Sequence, residues 1–382
     1  MDFALTKHQR ELQERAAEAV ERVVIPAASG LAPGQKLSVE KMRAIYRGLA
    51  PLGYVGSTIP KEAGGAGHSY VDYGLLLEAL AAGPVLLGEV VPPRTVHFLG
   101  TPEQKERWLP GLLAGDLLST AAITEPQAGS DLRNLQTTAV PKDGHFVVNG
   151  RKKWIKFGGN CDMLTLLVVA DPEKGAKAGT TRLMVERSVS PWAAQEIETV
   201  GIRNLSFAEL EFKDVKVPRE NQLGEAGAGT EAFYRAIEAS RAIVGLQAVG
   251  IAQRALDVAT SYAKKRIAFG RPLARFQAIQ TSLADAAAEL DAARLLCLRA
   301  LWILDSGERC PREASMAKVY ATEAAVRICH AAMDSMGAFG LSAEGVAERC
   351  WRDARMLTVI DGTSGIQRLI VGRELFGEAA FT

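Results

Sequence analysis

Residues 361–364, Asp-Gly-Thr-Ser, combine an acid, a glycine and two hydroxyls in front of an apolar run with helical spacing. Thr363 or Ser364 can cap that helix, which leaves Asp361 just outside it on a turn. Gly362 would let the backbone approach a ligand closely there, and a carboxylate so placed can abstract a proton. On its own, however, the pattern is more typical of a solvated acid favoured by the positive end of the helix dipole.

A second group of polar residues lies at 124-TEPQAGSD-131. Two hydroxyls, a proline and small residues in an irregular loop can offer backbone N–H groups and side-chain donors to a polar ligand. An ordinary surface turn has the same composition. The glycine-rich stretches GGAG (64–67) and GEAGAG (224–229) lack the strand-then-helix setting of a dinucleotide site, so we predict that both are loops. There is no P-loop, GxSxG or HExxH motif, which disfavours a hydrolase or NTPase.

The composition bounds the class of protein. The chain has 382 residues, 48% of them hydrophobic and 23% charged, which is ordinary for a globular protein. A net charge of +1 predicts no nucleic-acid or anionic-membrane surface. The five cysteines (161, 297, 310, 329 and 350) form no CxxC pair and no metal spacing with the five histidines, so we expect reduced core thiols and no metal site. The amphipathic N-terminus lacks a signal-peptide core, and no run reaches membrane-spanning length, which predicts a cytoplasmic protein without membrane insertion.

The sequence pattern changes from helical to β-rich and back to helical along the chain, and these elements must position the polar groups. Helical patterns at 6–24, 38–50, 70–82 and 102–115 predict an N-terminal helical domain over residues 1–118. Short β-rich runs at 145–150, 163–171, 181–186 and 209–218, with turn dipeptides at 143–144 and 149–150, predict a middle β domain over 119–228, barrel-like or sandwich-like. Long alanine-rich helices with short loops predict a C-terminal four-helix bundle over 229–382. The fold class is therefore mainly α with a central β domain.

Eight motifs, in order over nearly the whole chain, resemble the acyl-CoA dehydrogenase family. Besides TEPQAGSD they are IPKEAGGAG (59–67), TPEQKERWLPGLLAGD (101–116), VNGRKKWI (148–155), VPRENQLGEAGAG (217–229), KKRIAFGRPLARFQ (264–277), MGAFG (336–340) and DGTSGIQRLIVGRE (361–374). The resemblance implies a flavoprotein that oxidises an acyl-CoA thioester. It also implies an electron acceptor such as an electron-transfer flavoprotein, and self-association as a dimer or tetramer.

The resemblance also implies which residues form the site. Asp361 matches the catalytic base. The expected FAD contacts are Thr124, Ser130, Trp154, Ile155, Lys156, Arg266, Phe269, Gln277, Gly337, Ala338, Thr363 and Gly365. Of these, Arg266 and Gln277 match residues that reach the FAD diphosphate of a neighbouring subunit. The expected acyl-CoA contacts are Ser130, Ser240, Arg241 and Gly362.

Several positions depart from the family pattern. The usual base is a glutamate, and Asp361 shortens its reach by about one C–C bond, ~1.5 Å. Ser240 occupies a position where some members carry the base instead, and Glu238 is two residues off that helical face. Lys156 stands where Thr or Ser commonly contacts the flavin, and Asp334 and Ala338 replace a usual glutamine and glycine.

The leading hypothesis is thus an FAD-dependent acyl-CoA dehydrogenase with an aspartate base. One alternative is a related flavin oxidase or a dehydrogenase of cyclic acyl-CoA, in which an aspartate base occurs. Another is a catalytically weak subunit, possible in a mixed oligomer with a homologous chain, that completes its partner's FAD site. For Arg94, in VVPPRTVHF, contact with an acidic acyl tail is one possibility, and we expect an exposed arginine.

Overall fold

The computed structural model describes residues 4–32 and 34–380. Its N-terminal part is helical, as predicted. Two of the helices begin with a capping box, in which a threonine and a glutamine three residues later each bond the other's backbone N–H: Thr6 with Gln9, and Thr101 with Gln104. The helices are α1 (Lys7–Ala19, continued by a π-helical turn over Val20–Val24), α2 (Ile25–Ala28), α3 (Val39–Leu49), α4 (Tyr70–Ala81), α5 (Pro92–Leu99) and α6 (Pro102–Leu113).

Helix α5 is absent from the sequence prediction, and it begins with the pair Pro92-Pro93. Both prolines lie in the first turn, where the backbone N–H groups have no partner within the helix, so proline is tolerated there.

The middle part is one twisted array of strands. They are β1 (Ser119–Ala122), β2 (Thr138–Lys142), β3 (His145–Lys156), β4 (Met163–Val169), β5 (Thr180–Glu186), β6 (Ala193–Glu196), β7 (Phe207–Pro218) and β8 (Gln222–Gly227), with the short helix α7 (Gly175–Ala178) before β5. Neighbours run in the order β6-β7-β3-β2-β4-β5-β8, and β1 pairs in parallel with β4. The four predicted β runs are all strands.

The prediction for GEAGAG is wrong in part. Residues 222–227 form β8 rather than a loop, because Gln222 and Leu223 pair with Leu183 and Arg182 on β5. The following helix begins at Gly229. Pairing with a distant strand supplies hydrogen bonds that local composition does not reveal.

The C-terminal part is a bundle of long helices. These are α8 (Gly229–Lys265), α9 (Gln277–Asp305), α10 (Pro311–Met336), α11 (Ala347–Leu357) and α12 (Ser364–Phe376), with a small hairpin, β9 (Ile267–Ala268) and β10 (Arg271–Pro272), between α8 and α9. Helix α10 packs against α8, α9, α11 and α12, while α4 of the N-terminal part packs on α8 and α9. The predicted fold class is confirmed, and the exact domain boundaries stay a prediction.

Burial in the C-terminal bundle explains two sequence features. By length and composition, the helix Gly229–Lys265 could cross a membrane, but 78% of its apolar window is buried inside the protein. That burial is typical of a bundle core helix. The five cysteines are unpaired and buried, as the sequence predicts.

Candidate functional site

Asp361 lies on the turn between α11 and α12 in the left-handed backbone region, with φ 55°, and Gly362 follows with φ 98°. Asp is one of the few residues besides glycine that tolerate this conformation, because its short polar side chain can bond locally. The Gln367 side chain donates to the carbonyl oxygens of Asp361 (3.1 Å) and Gly362 (3.0 Å). Thr363 caps α12 by accepting from the Ile366 N–H at 3.3 Å, so the predicted cap and helix start are confirmed.

Four charged side chains from four separate segments of the chain act electrostatically on Asp361: Glu89, Lys156, Arg241 and Lys318. Burial raises the pKa of the Asp361 carboxyl above its ordinary value, and the negative charge of Glu89 adds to the shift, while the three cations oppose it. The net direction is upward. Asp361 is therefore a more basic carboxylate than a solvated surface acid.

Glu89 is the second carboxylate of this cluster, and the sequence analysis missed it. Its side chain is only 6% exposed, and its two oxygens are engaged by Arg94 (Nη2, 2.8 Å) and by the Ser240 hydroxyl (2.6 Å). A single acid within the apolar stretch VLLGEVVPP is the signal that could have indicated it, since unpaired buried acids are rare.

Arg94 corrects an expectation, since it is 5% exposed rather than solvated. Its ion pair with Glu89 makes burial tolerable, because a buried charge needs a close counter-charge. Burial by itself lowers the pKa of the Arg94 guanidinium, but Glu89, together with Tyr70 and Tyr73, holds that pKa above the ordinary value.

Two lysines contribute ammonium groups near Asp361. Lys318, on α10, is fully buried and donates to the Gly362 carbonyl at 2.8 Å, so it fixes the turn. Lys156, at the end of β3, donates to the carbonyls of Leu87 (3.0 Å) and Glu89 (3.3 Å). Burial lowers the pKa of each lysine to about 8, and the Asp361 carboxylate opposes that shift in both.

Helix α8 contributes Ser240 and Arg241 to the cluster around Asp361, and these residues are 6% and 7% exposed. The Arg241 Nε has no hydrogen-bond partner among the described residues. Burial lowers the pKa of the Arg241 guanidinium, while Asp361 and Glu238 counteract the shift. Glu238 is committed elsewhere, because it accepts from Arg309 Nε (2.9 Å) and from the Cys310 N–H (3.1 Å). The structure thus groups Ser240, Arg241 and Gly362 with Asp361.

The TEPQAGSD loop lies beside the bulged end of β3. The Thr124 carbonyl accepts from the Lys153 N–H at 2.8 Å. The register of β3 against β7 shifts between Lys152 and Ile155, and Trp154 within that bulge has φ 63°. A bulge turns a side chain away from the regular alternation. Trp154 is consequently 53% exposed, and it is not a core tryptophan.

The loop is anchored from inside by an ion pair that the sequence analysis did not single out. Lys152 Nζ lies 2.8 Å from Glu125 Oε1, with side-chain exposures of 0% and 2%. Glu125 also accepts from the N–H groups of Gln136 (2.7 Å) and Thr137 (3.0 Å). Burial lowers the pKa of Lys152 to about 8 against the attraction of Glu125.

The expected FAD contacts fall into different settings. Ser130 and Gly365 are exposed, whereas Ile155 is 4% exposed with its side chain in the core. Arg266, Phe269 and Gln277 are all exposed on the α8–α9 connection, and Gly337 and Ala338 are exposed after α10. The stacked rings of Tyr262 and Phe339, 5.1 Å between centroids, join these two segments. Among the described residues, no hydrogen bond or ion pair links this second group to Asp361.

Three family profiles match consecutive parts of the chain. They are the N-terminal domain (residues 6–116), the middle domain (120–215) and the C-terminal domain (227–376) of acyl-CoA dehydrogenase. The chain belongs to the acyl-CoA dehydrogenase family, and its class is that of oxidoreductases acting on acyl-CoA.

Individual relatives match over the full length. Benzylmalonyl-CoA dehydrogenase of Aromatoleum aromaticum is 35% identical over 383 residues, covering 98% of this chain and 100% of that protein. The solved glutaryl-coenzyme A dehydrogenase–glutaryl-CoA complex has a TM-score of 0.92 at 30% identity, covering 99% of this chain and 97% of that one. The FAD complex of PigA has a TM-score of 0.91 at 26% identity, with 98% and 99% covered.

Proposed function

We propose that the protein is an FAD-dependent acyl-CoA dehydrogenase in which Asp361 removes the α-proton of the thioester substrate. The observation that carries the proposal is the Asp361 carboxylate itself. It is fixed on a hydrogen-bonded left-handed turn, and its pKa is raised by burial and by Glu89. A base gains efficiency as its pKa approaches the working pH, so this shift favours proton abstraction.

The residues at the β3 bulge fit a flavin. A half-exposed tryptophan held out of the core by positive φ, next to a loop with two hydroxyls, suits a planar aromatic ring with polar edges. Thr124, Ser130, Trp154, Thr363 and Gly365 would hold that part of the cofactor. When bound, FAD would accept the hydride that leaves the β-carbon of the substrate.

The exposed second group fits a diphosphate contribution to another subunit. Arg266 and Gln277 carry free donors at the surface, and Phe269 is 95% exposed, which is costly for an aromatic ring without a covering partner. Gly337 and Ala338 lie beside them across the Tyr262–Phe339 stack. We infer that FAD binding requires at least a dimer.

Residues of the chain itself remove the α-proton and contact the substrate in this proposal. Asp361 takes the α-proton while the β-hydride leaves, the α,β double bond forms, and a 2-enoyl-CoA results. Ser240, Arg241 and Gly362 lie in the Asp361 cluster and Ser130 on the adjacent loop, and these four residues would contact the acyl-CoA. Glu89 is a weaker candidate for the base, because the Arg94 ion pair and the Ser240 hydroxyl both stabilise its charged form.

A cyclic acyl-CoA is the second candidate substrate, and the shorter acid at 361 favours it. The Asp side chain is shorter than a Glu side chain by one C–C bond, ~1.5 Å, which leaves extra room next to the α-carbon of the substrate. A ring or branch there could use that room and bring the proton within reach. A linear acyl chain would need the substrate to approach more closely.

The test begins with the protein expressed alone, for which we expect about one FAD per chain and a yellow solution. Anaerobic stopped-flow mixing with linear and cyclic acyl-CoAs should then bleach the oxidised flavin band with at least one thioester. Reoxidation by an electron-transfer flavoprotein, compared with O₂, identifies the acceptor. A fully loaded protein that no acyl-CoA bleaches would contradict the proposal. A colourless protein would favour the alternative of a subunit that completes a partner's site.

A further inference from the structure

Three side chains that can bind a metal ion meet in the N-terminal part, each from a different segment. His8 lies in the first turn of α1, His68 precedes α4, and Asp72 lies in the first turn of α4. One ligand atom of each side chain lies within 4.8 Å of the other two, and His8 Nε2 is 3.8 Å from Asp72 Oδ2. In the part of the chain that the structure describes, no other three such side chains form a comparable group.

His68 is prepared for metal binding by its other ring nitrogen. The Nε2 atom lies 2.8 Å from the Leu52 carbonyl oxygen, which can only accept a hydrogen bond, so Nε2 carries the proton. The Nδ1 atom therefore keeps its lone pair and can bind a metal. Gly53 makes room for the ring, because a Cβ there would lie 2.5 Å from His68 Nε2. Donation of the second N–H to a backbone carbonyl is the usual support of a metal-binding histidine.

Asp72 and His8 each keep an atom for the same ion. Asp72 Oδ1 accepts from the Gln9 side chain at 3.0 Å, which fixes the carboxylate and leaves Oδ2 nearest to His8. The 3.8 Å between Oδ2 and His8 Nε2 is too long for a hydrogen bond. Ligand atoms around a tetrahedral Zn²⁺ lie about 3.3–3.4 Å apart, given bonds of about 2.0–2.1 Å. Because the His8 side chain is exposed, it can rotate to close that difference.

We propose that His8, His68 and Asp72 form a Zn²⁺ site that fastens α1 to the start of α4, two helices that pack together. Two imidazole nitrogens and a carboxylate oxygen suit Zn²⁺, and a water molecule completes its four-coordinate shell. Mg²⁺ and Ca²⁺ prefer oxygen ligands, so the two imidazoles disfavour them. The expectation of no metal site considered spacing along the chain, in which His8 and His68 are far apart. The inference does not rest on the proposed function, because none of the three residues is assigned to FAD or acyl-CoA.

The first test is calorimetric titration of the untagged full-length protein, freed of metal with EDTA, by ZnCl₂. We expect one Zn²⁺ per chain. His8→Ala removes an exposed ligand at a helical position where alanine is favourable, so the chain should fold. It should weaken binding by at least about 10–100-fold, which is the usual loss when even an outer-shell partner of a metal is removed. Asp72→Asn keeps the size of the side chain and an oxygen for Gln9, and it should weaken binding as well. Absence of stoichiometric binding, or wild-type affinity in either variant, would overturn the proposal.

His330→Ala is the matched control. His330 is also an exposed histidine on a helix, and its Nε2 lies 3.4 Å from Asp334 Oδ2. Among the described residues, however, no third ligand joins that pair. His330→Ala should therefore leave the number of bound zinc ions and their affinity unchanged. An equal loss of affinity in His330→Ala and His8→Ala would refute a specific site at His8.

X-ray absorption and unfolding identify the ligands and the effect of the ion. The zinc of the loaded protein should have nitrogen and oxygen neighbours at about 2.0–2.1 Å, and a sulfur neighbour at about 2.3 Å would assign the ion to the cysteines and refute the site. Zn²⁺ should raise the urea midpoint of wild type but not that of His8→Ala, because an ion bound only by the folded state stabilises it. An unchanged wild-type midpoint would contradict the fastening of α1 to α4. None of these measurements uses acyl-CoA, so their outcome is independent of the proposed function.

Discussion

Replacement of Asp361 by asparagine removes the proposed base while preserving its size and most of its hydrogen-bonding capacity. General-base catalysis contributes ~10²–10⁴-fold, so flavin reduction should slow by that factor. Among the residues that the structure describes, the two other acids near this site are both held by partners. Glu89 is held by Arg94 and Ser240, and Glu238 is held by Arg309 and the Cys310 N–H. The loss should therefore fall toward the upper end of that range.

Asp361→Glu is the informative companion, because it restores the acid that the family usually carries. Two features of the site oppose it. The left-handed φ of 55° suits Asp better than Glu, and the carboxylate would move ~1.5 Å toward the substrate side of the cluster. A misplacement of ~1 Å can cost about 100-fold, so we expect a loss on the order of 10- to 100-fold. A gain in rate would instead identify Asp361 as a weakened base.

The assay is anaerobic stopped-flow absorbance of the oxidised flavin band at saturating acyl-CoA. Binding of the thioester, followed by calorimetry, is the control, and it should persist in Asp361→Asn. A variant that binds substrate and bleaches as fast as wild type would show that Asp361 is not the base. In that case the mechanism proposed for this turn would be wrong.

Three other variants test the surrounding structure. Trp154→Ala should weaken FAD binding or shift its absorption band, because the half-exposed ring is proposed to flank the flavin; unchanged affinity and spectrum would speak against that contact. Arg266→Ala should lower FAD occupancy without unfolding the chain, and a monomer with full FAD by light scattering and absorbance would exclude the cross-subunit role. Glu125→Gln should destabilise the protein by about 3–5 kcal/mol in urea unfolding, since it leaves Lys152 as a buried charge without its counter-ion. A loss below about 1 kcal/mol would mean that Lys152 releases its proton instead.

The sequence by itself determined most of the long helices, the four longest strands and the family. Capping residues such as Thr101, helical spacing and turn dipeptides are local signals, and local backbone energetics are enough to interpret them. The same holds for the turn before α12, where Thr363 caps the helix and Asp361 lies outside it. Strand β8 and helix α5 are among the elements missed: β8 depends on pairing with a distant strand, and the first turn of α5 holds two prolines.

Only the tertiary structure decided the electrostatics of the site. Glu89, Lys156, Arg241, Lys318 and Asp361 are separated by up to 272 positions in the chain, and no periodicity or motif relates them. Hydrogen bonds tie residues 87–89 to Ser240 on α8 and to Lys156 at the end of β3, and Lys318 on α10 bonds the Gly362 carbonyl next to Asp361. Burial then raises the pKa of the acid Asp361 and lowers that of the lysines. Desolvation depends on everything that surrounds a charge, so it emerges only when distant segments of the chain have packed.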